Sequence, residues 1–165
     1  MAADDLALWH DYGVALVGAA AALAGLLFVA ISINLRQILS MAGLTGRAGE
    51  AILTLGFVLV TCALLLIPEQ GRTLLGDEWL VLNAGLFLVL LRVHIRAIPV
   101  YGPDRRNVLF GRVFTHQLVV VLFALAAIGA ISGAPGALIL IAPATLWGLV
   151  VGIADGWVLM IEILR

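Results

Sequence analysis

The fold is decided by the apolar run WGLVVGIADGW, which covers residues Trp147 to Trp157. The run holds one carboxylate, Asp155, and three glycines spaced four residues apart, Gly148, Gly152 and Gly156. At 100° per residue the glycines and the acid share one face of a helix, and aliphatic side chains fill the rest. A small-residue face of this kind lets a second helix backbone approach closely in lipid. The run therefore predicts a membrane helix that packs tightly along one side.

The composition of the whole chain extends this interpretation to a polytopic protein. The 165 residues are 64% hydrophobic and 12% charged, whereas soluble domains carry about 25% charged residues. A helix crosses the hydrocarbon core with about 20 apolar residues. We predict an all-α transmembrane bundle that forms one integral-membrane domain over residues 1–165. The five expected spans cover roughly residues 12–35, 51–67, 79–98, 113–131 and 137–164.

The third run leaves an alternative open. It contains Arg92, His94 and Arg96, and charged side chains are costly in the hydrocarbon core. A bundle with four spans, in which the third run is only partly embedded, is therefore a second interpretation. Pro99 is expected to end this run.

The distribution of arginine predicts the orientation. All nine basic residues are Arg. Eight of them lie in the first and third connectors, at the end of the third run and at the C-terminus, whereas the opposite side carries only Arg72 and several acidic residues. Basic residues near span ends favour the cytoplasmic side. We therefore expect the N-terminus outside and the C-terminus in the cytoplasm.

Polar side chains concentrate in the predicted cytoplasmic half. Asp155 lies about 12 Å from the inner end of its helix, and Arg92 lies at a similar depth. Because an acid in mid-membrane should face protein or water, we expect these two side chains to pair, either as a structural lock or as part of a gate. The residues predicted for a polar cluster or pore lining are Asp155, Arg92, His94, Asn34, Ser32 and His116.

Two other helices carry polar lines at helical spacing. Glu50, Thr54 and Thr61 fall close to one line of the second run, and Arg112 and His116 are four residues apart in the fourth. The histidines and acids are metal-ligand types, but no histidine pair has the i, i+4 spacing of a dedicated site. We therefore predict no metal site and no cofactor.

The surface of the bundle suggests two kinds of contact. Gly18 and Gly25 are seven residues apart on the first run and make a second small-residue seam. One seam used within the protomer and the other between protomers would give a homo-oligomer. The basic side chains expected to contact anionic lipid headgroups are Arg96, Arg105, Arg106 and Arg112.

The sequence supports two functional hypotheses. The first is a small oligomeric channel or channel-like transporter, because ionisable residues within a membrane mark ion pathways. The second is a non-transporting accessory or scaffold subunit that binds a partner membrane protein or anionic lipid. The Gly-x-Ser-x-Gly, His-Glu-x-x-His, P-loop and dinucleotide-binding motifs are missing from the sequence, so we expect no enzyme. We also expect no nucleic-acid binding, because the arginines are predicted to lie at a membrane surface. The run from Leu26 to Leu35 resembles small bacterial membrane proteins, which implies the bacterial inner membrane.

Overall fold

The structure is a computed structural model that describes residues 6–41, 43–102 and 106–163. Every regular element in those ranges is helical. The predicted all-α fold is confirmed. The chain contains a 3₁₀ turn Leu6–Trp9, α1 His10–Ile33, α2 Leu35–Ser40, α3 Leu44–Leu64, α4 Arg72–Tyr101, α5 Arg106–Ser132, a 3₁₀ turn Ala137–Leu140 and α6 Ile141–Ile163.

Five helices, all but the short α2, are long and apolar enough to cross a membrane. The central one is α3, which contacts α1, α4 and α6. In the most apolar stretch of α3, 50% of the residues are buried, against 17% in the most apolar stretch of Leu6–Ile33, the segment that contains α1. Helix α1 therefore lies at the edge of the bundle and leaves most of its surface to lipid or to another protein.

Apolar packing fills the half of the bundle opposite to the end of α1. Trp79 is fully buried there, and its indole N–H donates to the backbone oxygen of Thr61 at 3.0 Å. Phe57 and Phe123 pack edge to face with ring centroids 4.7 Å apart, an arrangement that aromatic rings prefer. We call this part of the molecule the apolar half.

Several helices extend beyond the predicted spans, and two of these differences matter most: the first changes where charged side chains lie. Helix α3 begins at Leu44, well before the expected start near residue 51, so that Arg47 and Glu50 lie on a helix. Helix α4 continues through Pro99 to Tyr101, and the prediction that Pro99 ends the helix is wrong. A proline near the C-terminal end removes one backbone donor but leaves the rest of the helix intact.

The α6 glycine seam packs against α3. A Cβ atom on Gly148 would lie 2.6 Å from Val58 Cγ2, and one on Gly152 would lie 2.6 Å from Leu55. Gly18 and Gly25 on α1 differ, because no described atom beyond the local backbone of α1 and the adjacent residues lies within 4 Å of the position of their missing Cβ. One seam is therefore used inside the protomer, and the other is open.

Candidate functional site

Six ionisable side chains meet between four helices. Helices α3 and α5 begin, and α4 and α6 end, at the same end of the bundle, so residues about seven positions from those ends lie roughly 10 Å inside. We call the group the charge cluster and the surrounding half of the bundle the cluster half. The charge cluster consists of Arg47 and Glu50 on α3, His94 on α4, Arg112 and His116 on α5, and Asp155 on α6.

Glu50 occupies the centre of the cluster with no solvent exposure. Its Oε2 atom accepts a hydrogen bond from Arg112 Nε at 2.6 Å, and its Oε1 atom lies 3.2 Å from His94 Nε2. Arg112 also donates from Nη1 to the hydroxyl of Tyr101 at 3.0 Å. A carboxylate removed from water is stable only when such partners compensate its charge.

Asp155 forms the second acidic position. Its Oδ2 atom lies 3.0 Å from His116 Nε2, and its Oδ1 atom lies 3.9 Å from Arg47 Nε. His116 Nε2 is also 3.9 Å from Glu50 Oε2, so this imidazole stands between the two carboxylates. The charges of the two arginines offset those of the two acids when both histidines are neutral.

The hydrogen bond of His116 determines which ring nitrogen carries the hydrogen. The Nδ1 atom lies 2.9 Å from the backbone carbonyl oxygen of Arg112. A carbonyl oxygen only accepts, so Nδ1 must be the protonated nitrogen. In the neutral ring Nε2 is then an acceptor that faces the oxygens of Asp155 and Glu50, and three acceptors without a cation or proton among them repel one another.

Several buried atoms of the cluster lack an aligned hydrogen bond anywhere in the described residues. Buried polar groups in proteins are nearly always hydrogen-bonded, so a concentration of exceptions marks a special site. These atoms are Glu50 Oε1, both ring nitrogens of His94, His116 Nε2, Asp155 Oδ2, Arg47 Nε and Arg112 Nη2.

The predicted pairing of Arg92 with Asp155 is wrong. His94 points into the bundle, and a residue two positions away on a helix points about 200° around the axis. Arg92 is accordingly exposed, whereas Arg47 and His116 contact Asp155.

Of the other residues predicted for the polar cluster, three belong to the charge cluster and two do not. His94, His116 and Asp155 come together as members of the cluster. Ser32 and Asn34 lie outside it, because each side chain donates to a carbonyl of its own helix, that of Phe28 or Ala30, at 2.8 Å.

The lipid-headgroup prediction is wrong for Arg112. This side chain is 6% exposed and is held by Glu50, because α5 begins several residues before the expected span and carries Arg112 into the bundle. Arg96 and Arg106 are exposed. Arg105 lies outside the described residues.

Sequence reasoning missed Glu50 and Arg47 as site residues. Helical spacing places Glu50 on the polar line of its helix, but hydropathy places it at a span boundary, where an acid needs no special role. The sequence signal for Glu50 is its position on one helix line with Thr54 and Thr61. Both threonines are buried in the structure, so this line faces the interior of the bundle.

A separate apolar groove of about 190 Å³ lies between α1 and α6. Its lining contains no ionisable side chain and includes Leu23, Leu27, Leu55, Gly152, Gly156 and Trp157. The groove and the charge cluster are therefore distinct features.

Comparisons of the chain with protein-family models, with curated proteins and with solved structures find no match.

Proposed function

We propose that the protein is a small channel-like ion transporter and that the charge cluster is its ion-handling site. One observation carries the proposal: six ionisable side chains are gathered inside a bundle of apolar helices. Ionisable residues at membrane depth are expensive, and where they occur they mark ion or substrate pathways. A bundle held together only by small-residue seams and apolar packing requires no such group.

Access to the cluster is expected from one side. The side chains of Arg47 and Asp155 keep 15% and 10% of their surface exposed, whereas Glu50 has none. On the other side of the cluster lies the apolar half, in which Trp79 and Phe123 are fully buried. A hydrophobic constriction gates a channel by excluding water, so we assign the gate to the apolar half.

The proposal includes the environment of the protein. The Arg-rich end is the cytoplasmic end, according to the distribution of basic residues, and the membrane is the bacterial inner membrane. The open Gly18 and Gly25 seam on α1 supports assembly into a homo-oligomer, because small residues let neighbouring helices approach.

Flux measurements on liposomes that contain the purified protein test the proposal. We expect passage of a small ion such as K⁺, Na⁺ or Cl⁻, and we expect Asp155→Asn to slow it by about tenfold or more. Arg92→Gln is the matched control, since it removes an exposed charge outside the cluster and should leave the flux unchanged. The absence of flux for all three ions at every pH and voltage would contradict the transporter.

The apolar groove favours a second candidate, an accessory subunit that binds a partner membrane protein. A contact surface lined by Leu23, Leu27 and Trp157 is available beside the least buried helix. Native mass spectrometry of the protein purified from its own membrane distinguishes the two. One stoichiometric foreign subunit together with no flux would favour the accessory role, whereas a ring of identical chains would favour the pore.

A further inference from the structure

We propose that Glu50, His94, His116 and Asp155 bind a divalent transition-metal ion, and that Zn²⁺ is the best match. The proposal goes beyond transport, because an ion that ties the four helices together would bind whether or not the protein conducts. Two imidazoles with two carboxylates form a mixed nitrogen and oxygen set, which suits Zn²⁺ better than Mg²⁺ or Ca²⁺.

The spacing of the ligand atoms fits one ion. Ligand atoms of Glu50, His94 and His116 all lie within 4.8 Å of one another. Two ligands at about 2.1 Å from a tetrahedral ion are roughly 3.4 Å apart. The distance from His94 Nε2 to Glu50 Oε1 is 3.2 Å and that from His116 Nε2 to Asp155 Oδ2 is 3.0 Å. Both pairs are already near this spacing. Asp155 lies outside the group of three that share the 4.8 Å range, and it joins the set from the side of His116.

The atoms that lack an aligned hydrogen bond are the atoms a metal needs. Glu50 Oε1, His94 Nε2, His116 Nε2 and Asp155 Oδ2 are all buried and have no aligned hydrogen bond in the described chain. At 3.2 and 3.0 Å the two imidazole–carboxylate pairs lie at ion-pair distance without the alignment of a hydrogen bond, so lone pairs face one another when Nε2 carries no hydrogen. A cation among the four atoms removes this conflict, because it attracts every lone pair that points at it.

The surrounding groups orient the ligands in the way that metal sites require. His116 donates its Nδ1 hydrogen to the Arg112 carbonyl, which fixes the ring and leaves Nε2 as a metal ligand. Arg112 and Arg47 face the other oxygens, Oε2 of Glu50 and Oδ1 of Asp155. Each carboxylate thus keeps one oxygen directed at an imidazole, and the arginine charges moderate the affinity for the ion.

Cobalt titration tests the site directly. The full chain, purified in detergent and stripped with EDTA, should bind one Co²⁺ per chain with visible d–d absorption, and Zn²⁺ should displace it. His94→Gln should weaken Co²⁺ binding by about 100-fold or more, because it removes a ligand. His10→Gln is the matched control: His10 is exposed on the first turn of α1, and binding should remain as in the unmodified protein.

A second measurement covers the case in which His94→Gln fails to fold. A ligand that binds only the folded state raises its stability, so Zn²⁺ should raise the Tm of the unmodified protein and raise that of Asp155→Asn by less. No Co²⁺ absorption together with no Zn²⁺-dependent Tm shift would overturn the proposal, as would full binding by a folded His94→Gln chain or loss of binding in His10→Gln. Stoichiometric binding without ion flux would support the metal site while contradicting the transporter.

Discussion

The two halves of the bundle use polar groups in different ways. In the apolar half the hydrogen-bonding side chains in the interior are neutral, and each is satisfied by one or two contacts, as Trp79 is by the Thr61 carbonyl and Tyr12 is by Thr145 at 2.6 Å and the Ala142 carbonyl at 3.4 Å. In the cluster half the buried groups include two carboxylates and a guanidinium, and their partners come from four helices. Neutral groups can be satisfied by one contact, whereas a buried charge must be compensated by several groups held in place together.

This difference has an energetic consequence. A neutral hydrogen bond contributes about 0.5–1.5 kcal/mol of net stability. Breaking a buried ion pair costs about 3–5 kcal/mol, because the remaining charge stays buried without its partner. Substitutions of similar size should therefore have unequal effects in the two halves.

The largest effect is expected for Glu50→Gln. The substitution leaves Arg112 inside the bundle without its carboxylate and should lower the free energy of unfolding by about 3–5 kcal/mol. Denaturation in detergent measures the change, and Glu69→Gln, at an exposed position, should shift it by less than about 0.5 kcal/mol. The double substitution Glu50→Leu with Arg112→Met should restore much of the loss, because no buried charge remains at this pair. Equal stabilities of Glu50→Gln and Glu69→Gln would contradict the large contribution assigned to the buried pair.

A smaller effect is expected where α6 packs against α3 beside the cluster. Gly152→Leu places a side chain where a Cβ alone would lie 2.6 Å from Leu55, and overpacking of this kind costs about 1–3 kcal/mol. Gly25→Leu is the matched control, because the space around it in the described chain is open. It should preserve the stability of the protomer, and size-exclusion chromatography should show a smaller particle if the α1 seam joins protomers. Similar destabilisation by both variants would contradict the assignment of the two seams.

The difference between the halves also explains how much of the fold the sequence could predict. Helical structure and the approximate spans follow from hydropathy, because each depends on a continuous stretch of chain. The α6 seam was predictable for the same reason, since Gly148, Gly152 and Asp155 lie close together along one helix. The two aromatic rings at Phe57 and Phe123 meet across helices, and no local pattern indicates that contact.

The charge cluster was only partly predictable because pairing between helices depends on rotation and register. Helical rise gives the depth of Asp155, but depth alone selects Arg92 as its partner, and the direction of a side chain around its helix decides otherwise. Arg47 and Glu50 lie just outside the expected span, because the hydropathy of a window falls where charges occur even when the helix continues through them. Hydropathy therefore places the helix ends too far inside when those ends carry a buried charge cluster.

In the apolar half we expect a modest effect for Trp79→Phe. The substitution keeps an aromatic ring in the core and removes the hydrogen bond to the Thr61 carbonyl. The expected loss is about 1–2 kcal/mol, from the hydrogen bond and the smaller ring. Thermal unfolding in detergent measures it, with Trp157→Phe on the exposed face of α6 as control. A loss as large as that for Glu50→Gln would show that neutral and charged groups contribute alike.

The smallest effect is expected for the charges that the cluster excludes. Arg92 lies two residues from His94 and at a similar depth, but it is exposed and faces away from the cluster. Arg92→Gln should therefore change the free energy of unfolding by less than about 0.5 kcal/mol. Arg112→Gln, which makes the same chemical change at a buried position, should cost about 3–5 kcal/mol because it leaves Glu50 without its arginine. Both changes in the free energy of unfolding are measured by denaturation in one detergent. Because the chemical change is the same, their difference reports the effect of burial and partners at Arg112. Comparable losses at Arg92 and Arg112 would mean that the membrane-embedded depth of an arginine, and not its partners, sets its effect on stability.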